Sequence, residues 1–170
     1  MKGPAAPAPA RETASAAVSL ALQRHLTVAT AESLTAGMVA AALANTPGAS
    51  GMLQGGVVAY QNSVKAAVLG VSRELLDAVG SVDGEVAAAM AAGARQACGA
   101  DVGVSTTGVA GPDPHDGKDV GTVFIGIATE AGSTSFEYAY SGDRQYIREQ
   151  ACQGALDRLL AALGEVGYRA

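Results

Sequence analysis

The chain has 170 residues, a length that fits one domain of ordinary size and leaves little room for a second. Its net charge is −5 with no run of Lys or Arg, which excludes a nucleic-acid partner held by phosphate neutralisation. Hydrophobic residues make up 49% of the chain and aromatics only 4%, with no Trp, so the core must be built from Ala, Val, Leu and Ile in closely packed layers.

The first ten residues hold three of the six prolines, and Met1 to Ala10 is expected to be a disordered N-terminal tail ahead of one ordered domain over residues 11–170. Arg11 to His25 carries Ala14, Val18 and Leu22 with Ala17 and Ala21 on one helical face. The Ala29 to Ala31 stretch has the form of a secretory cleavage site. Glu12 and the polar Gln23-Arg24-His25 argue against that reading, as does a cut that would remove the first core strand. That strand is expected over Leu26 to Ala31, turning through Ser33-Leu34-Thr35-Ala36-Gly37 into a helix to about Ala44. A second strand, Gly56 to Tyr60, leads to a short helix that carries Lys65 and ends near Gly70. Leu75 to Val79 reads as a helical turn, and Asp83 and Gly99 bracket a longer helix. Val102 to Thr107 is an apolar strand. A hairpin of strands over Gly121 to Thr129 and Thr134 to Tyr140 follows, then a helix from Asp143 to about Leu163. The pattern predicts a single α/β domain of three layers, α/β/α, around a mixed central sheet.

Cys98 and Cys152 lie far apart without metal-ligand spacing, and His25 and His115 do not complete a set. No metal or other cofactor is expected. The thiols read as small buried apolar residues of a reducing, cytoplasmic protein, and no apolar run has the length needed to span a membrane.

Three clusters fall on turns after strands, where open α/β sheets place their ligands. In the first, Ser33 can expose its hydroxyl beside unpaired helix N–H groups, the arrangement acyl transfer requires, with Glu32, Thr35 and Gly37 around it. Equally, Ser33 or Thr35 can merely cap the helix, and Glu32 can serve its dipole. In the second, Tyr60 and Lys65 can point into one cleft, and a Lys kept neutral by burial can take a Ser proton; a solvated surface Lys is the plain alternative. In the third, Thr107, Gly108, Ala110 and Gly111 form a turn whose N–H groups suit a phosphate. Arg144 and Arg148 lie four apart near a helix start, as phosphate ligands or as surface cations beside a capping Asp143.

Taken in order, Thr30 to Gly37, Thr46 to Ser50, Gly55 to Tyr60, Lys65 with Leu69-Gly70-Val71, Thr107 to Pro112, Val120 to Val123 and Gly142-Asp143-Arg144 resemble the CinA C-terminal domain family. Stand-alone members of that family are nicotinamide mononucleotide deamidases. The resemblance implies Ser33 as nucleophile, Tyr60 and Lys65 as its activating groups, and the Thr107 turn and Arg144 as holders of a small mononucleotide. It implies a homodimer acting in pyridine nucleotide salvage, and a domain that needs no metal. A non-catalytic nucleotide-binding member and an amidase for another small substrate are the alternatives. Leu34 and Ala36 stand where the family usually has Cys and Gly, and Ala36 adds a methyl group near the helix mouth.

Overall fold

The computed structural model describes residues 8–167. The tail expected over residues 1–10 lies outside the described residues as far as residue 7. From Ala8 the chain is already helical, in α1 (Ala8–Arg24). Pro9 is tolerated because the first turn of a helix has no use for its missing N–H, and Ala10 is buried in the core. Ala14, Ala17, Val18 and Ala21 are buried as the periodicity predicts, whereas Leu22 stays 39% exposed, lying over the Gly48–Gly51 turn.

The elements that follow are β1 (Val28–Glu32), α2 (Met38–Ala44), β2 (Leu53–Val58), α3 (Asn62–Leu69), α4 (Arg73–Val79) and α5 (Gly84–Cys98). After them come β3 (Val102–Gly108), β4 (Thr122–Thr129), β5 (Gly132–Ala139) and α6 (Arg144–Glu165). Asp83 and Asp143 cap α5 and α6 with their carboxylates, and Gly70 and Gly99 end α3 and α5 in left-handed conformations. β1 begins two residues later than the apolar run suggests. Leu26 N–H closes α1 on Ala21 O, and Thr27 is tied through its N–H and hydroxyl to Asp101.

The five strands form one mixed sheet of order β2-β1-β3-β4-β5, with β2, β1 and β3 parallel and β4 and β5 antiparallel. One face is covered by α1, α2 and α6 over Val28, Val102, Val104, Ile125 and Ile127. The other is covered by α3, α4 and α5, with Ala29, Ala31, Val86 and Met90 between them. The small residues allow the close layers that the composition demands. A Cβ at Gly103 or Gly126 would stand 2.1 Å from the Ala91 or Ala87 carbonyl of α5, so that helix rests directly on β3 and β4. Ser105 Oγ donates to Ala87 O at 2.6 Å across the same contact.

The parallel register positions the site. Glu32 at the end of β1 lies opposite Val58 on one side and Thr106 on the other. The three turns that leave β1, β2 and β3, beginning at Ser33, Ala59 and Val109, therefore emerge side by side at the carboxyl edge of the sheet.

Candidate active site

Ser33 follows the last residue of β1, and its N–H donates to Thr106 O at 3.0 Å. The chain then reverses through Ala36 (φ 48°) and Gly37 (φ 100°), two successive left-handed residues, before α2 begins. Neither Ser33 nor Thr35 caps this helix. Glu32 does, from a buried position: Oε2 accepts from Gly37 N at 3.0 Å and Val39 N at 3.1 Å, and Oε1 accepts from Ala40 N at 2.9 Å. Thr35 Oγ1 donates to Glu32 Oε2 at 2.6 Å and lies 2.8 Å from Thr106 Oγ1. A carboxylate can be buried here because charge-assisted bonds and the helix dipole replace water. With the cap supplied by Glu32, the Ser33 hydroxyl is left for other work.

Its partner is Lys65, one turn into α3, which is fully buried. Lys65 Nζ lies 3.2 Å from Ser33 Oγ and donates to Ala59 O at 2.9 Å and to Tyr60 O at 3.3 Å. No carboxylate pairs with Nζ among the described residues. Burial brings the Lys65 amine down from 10.5 to about 8, against a smaller upward pull from the Asp116 carboxylate.

A cleft of about 320 Å³ opens above this pair. Ser33 and Leu34 form its floor, Tyr60 and Arg144 one side, Thr107 to Pro112 another, and Ser81 with Asp113, Pro114 and His115 the rim. Arg144 spans the cleft, donating from Nη1 to Gly111 O at 2.6 Å and from Nη2 to the Tyr60 hydroxyl at 2.8 Å. The Tyr60 phenol is thus held by Arg144, while the backbone carbonyl of the same residue holds Lys65. Thr107 Oγ1 donates to Ser81 O at 2.5 Å, fixing the loop ahead of α5 against the end of β3.

Of the residues singled out in the sequence, Ser33, Tyr60, Thr107, Gly108, Ala110, Gly111 and Arg144 line this cleft, and Lys65 reaches Ser33 from the buried side. Glu32, Thr35 and Gly37 lie beneath it in the α2 cap. Arg148 turns away to donate from Nε to Leu34 O at 2.7 Å and from Nη2 to Thr35 O at 3.4 Å, so it braces the serine turn instead of facing a phosphate. Ser81 carried no sequence signal of its own. A larger open groove of about 730 Å³ lies beside the β4–β5 turn and the end of α6, and among the described residues no Lys, His or Cys lines it. Among the described residues, no group of three or more His, Cys, Asp or Glu is placed to hold a metal ion, and no helix is long and apolar enough to cross a membrane.

A three-layer α/β fold with a half-buried Ser33 against a buried Lys65 at the carboxyl edge of its parallel strands defines the class of this protein. The chain belongs to the CinA C-terminal domain family, whose sequence pattern matches residues 10–163. A CinA-like protein of Frankia casuarinae is 48% identical over 149 residues, which are 86% of this chain and 34% of that one. The chain spans about a third of the length of the curated relatives it matches. Among solved structures, the competence/damage inducible protein CihA of Agrobacterium tumefaciens is similar at TM-score 0.90 and 33% identity, covering 96% of this chain and 100% of that one. A competence-damaged protein (CinA) superfamily protein of Enterobacter cloacae is similar at TM-score 0.87 and 29% identity, covering 96% of each chain.

Proposed function

We propose that this chain is a serine amidohydrolase that deamidates nicotinamide mononucleotide, with Ser33 as nucleophile and Lys65 as its base. The observation that carries the reading is the buried Lys65 amine against the Ser33 hydroxyl. A neutral amine has two N–H donors and one lone pair. Ala59 O and Tyr60 O take the two donors, and the lone pair is then directed to the Ser33 O–H. With its amine near 8, Lys65 is neutral in a useful fraction of molecules around neutral pH.

In this mechanism Lys65 accepts the Ser33 proton as Oγ attacks the carboxamide carbon. The resulting oxyanion needs donors, and the amides around the turn are largely committed: Ser33 N to Thr106 O, Ala36 N to Ser33 O, Met38 N to Thr35 O, and Gly37, Val39 and Ala40 N to Glu32. Leu34 and Thr35 N–H are the donors this accounting leaves to the oxyanion. Lys65 returns the proton to the departing nitrogen, the C–N bond breaks, and ammonia leaves. Water, deprotonated by Lys65, attacks the acyl-Ser33 ester; the C–Oγ bond breaks, Lys65 gives the proton to Oγ, and the carboxylic acid product leaves with the Ser33 hydroxyl restored. The Thr107 to Pro112 turn and Arg144 are the groups this reading assigns to the mononucleotide, the guanidinium toward its phosphate. Action as a homodimer in the cytoplasm, within pyridine nucleotide salvage, belongs to the same proposal, and light scattering tests the assembly.

Ammonia release from nicotinamide mononucleotide, measured for the purified chain and for Ser33→Ala and Lys65→Ala, decides the reading. Loss of release in both variants supports it. Equal rates in all three proteins would overturn the dyad. Tight mononucleotide binding without ammonia from the unaltered chain would instead favour a non-catalytic binding domain, and release from other small amides alone would shift the substrate class.

A further inference from the structure

The segment between β3 and β4 folds back on itself through paired backbone bonds between His115 and Lys118, and at its tip Asp116 adopts a left-handed conformation (φ 50°). This conformation turns the Asp116 carboxylate toward the loop ahead of α5. Oδ2 accepts from Ser81 N at 2.6 Å and from Ser81 Oγ at 2.7 Å. The approach requires Gly80 (φ 80°), because a Cβ there would stand 2.7 Å from the same oxygen. Ser81 in turn lines the cleft and accepts from Thr107 Oγ1, so the tip of one loop, the rim of the cleft and the end of β3 are linked in series.

We propose that Asp116 is a positioning residue that clamps the 113–119 loop onto Ser81 and so holds one wall of the Ser33 cleft in place. Its kinetic consequence rests on the deamidase reading; the clamp itself does not.

Asp116 is held below the usual carboxylate range, first by the Ser81 N–H, so the clamp is a charge-assisted one. His115 Nε2 lies 3.5 Å from Asp116 Oδ2 on the solvent side, with its side chain 66% exposed against 29% for Asp116.

Amide hydrogen exchange at Ser81 and mononucleotide kinetics, both on the full chain, test the clamp. Asp116→Asn keeps an oxygen acceptor for Ser81 and a residue type that tolerates the left-handed conformation, so it should keep Ser81 exchange slow. Asp116→Ala should speed Ser81 exchange at least about tenfold and raise KM more than it lowers kcat. Ser81→Ala removes one arm of the clamp and is expected to raise KM. Unchanged Ser81 exchange in Asp116→Ala would overturn the clamp. If Ser81 responds as expected but the unaltered chain releases no ammonia, the deamidase reading fails and the clamp stands.

Discussion

Arg144, the first residue of α6, donates to the hydroxyl of Tyr60, which lies 84 positions earlier in the chain, at 2.8 Å. Because the same guanidinium also holds Gly111 O, one side chain ties the turn after β2 to the turn after β3. Arg144→Ala is expected to raise KM for the mononucleotide about tenfold or more with a smaller fall in kcat. Tyr60→Phe removes only the phenolic acceptor and should raise KM by a smaller factor, about threefold. Steady-state ammonia release checks both, and a Tyr60→Phe enzyme as inactive as Lys65→Ala would mean that the phenol takes part in proton transfer.

The Lys65 amine predicts the pH dependence. If it must be neutral to accept the Ser33 proton, kcat/KM should climb about tenfold per pH unit well below pH 8 and level off above it. The same group leaves a mark on stability. Its folded-state value of about 8 lies below the ordinary 10.5, so between those limits the unfolded chain binds the extra proton. Stability relative to Lys65→Met should therefore rise with pH across about 8 to 10.5, and the full deficit should be present below 8. Urea titrations of the two proteins across that window check the sign.

Glu32 is expected to matter for folding before it matters for chemistry. Glu32→Ala would leave the Gly37, Val39 and Ala40 amides and the Thr35 hydroxyl without their buried acceptor. A loss of about 3 kcal/mol, or about 10 °C in Tm, is the expected result. Thermal melts by circular dichroism read it directly; a melt unchanged from the parent chain would show that the cap contributes nothing net.

Ala36 occupies a left-handed conformation that a Cβ disfavours. Ala36→Gly relieves that strain and adds some freedom to the unfolded chain, leaving a net gain of about 0.5 kcal/mol and about 1–2 °C in Tm. Because Ala36 lies two positions from Leu34 in the floor of the cleft, a changed KM in this variant would show that its methyl group shapes substrate fit.

The parts of this protein that were legible in the sequence are those whose chemistry is local. Asp83 and Asp143 mark the starts of α5 and α6 because an Asx cap needs only the next two or three amides, and Gly70 and Gly99 mark ends because only a left-handed residue is required there. The start of β1 was displaced because Thr27 answers to Asp101, 74 positions away. Helix α1 began earlier than expected because Ala10 finds a buried place that composition could not reveal.

Ser33, Tyr60 and Lys65 were recognisable by residue type, by position after strand ends and by family resemblance. Sequence by itself determined that a hydroxyl, a phenol and an amine would leave neighbouring strands, since strand-to-turn boundaries follow from apolar periodicity and glycine placement. What each does was decided by tertiary structure. Parallel pairing of Glu32 with Val58 and Thr106 brings the turns together, and α3 buries Lys65 where the Ala59 and Tyr60 carbonyls accept two of its hydrogen bonds and Ser33 lies in the remaining direction. The same packing gives Glu32 to a helix cap, Arg148 to the serine turn and Tyr60 to Arg144. A side chain's role depends on which donors and acceptors lie within about 3 Å of it, and those come from segments that only the folded sheet makes neighbours.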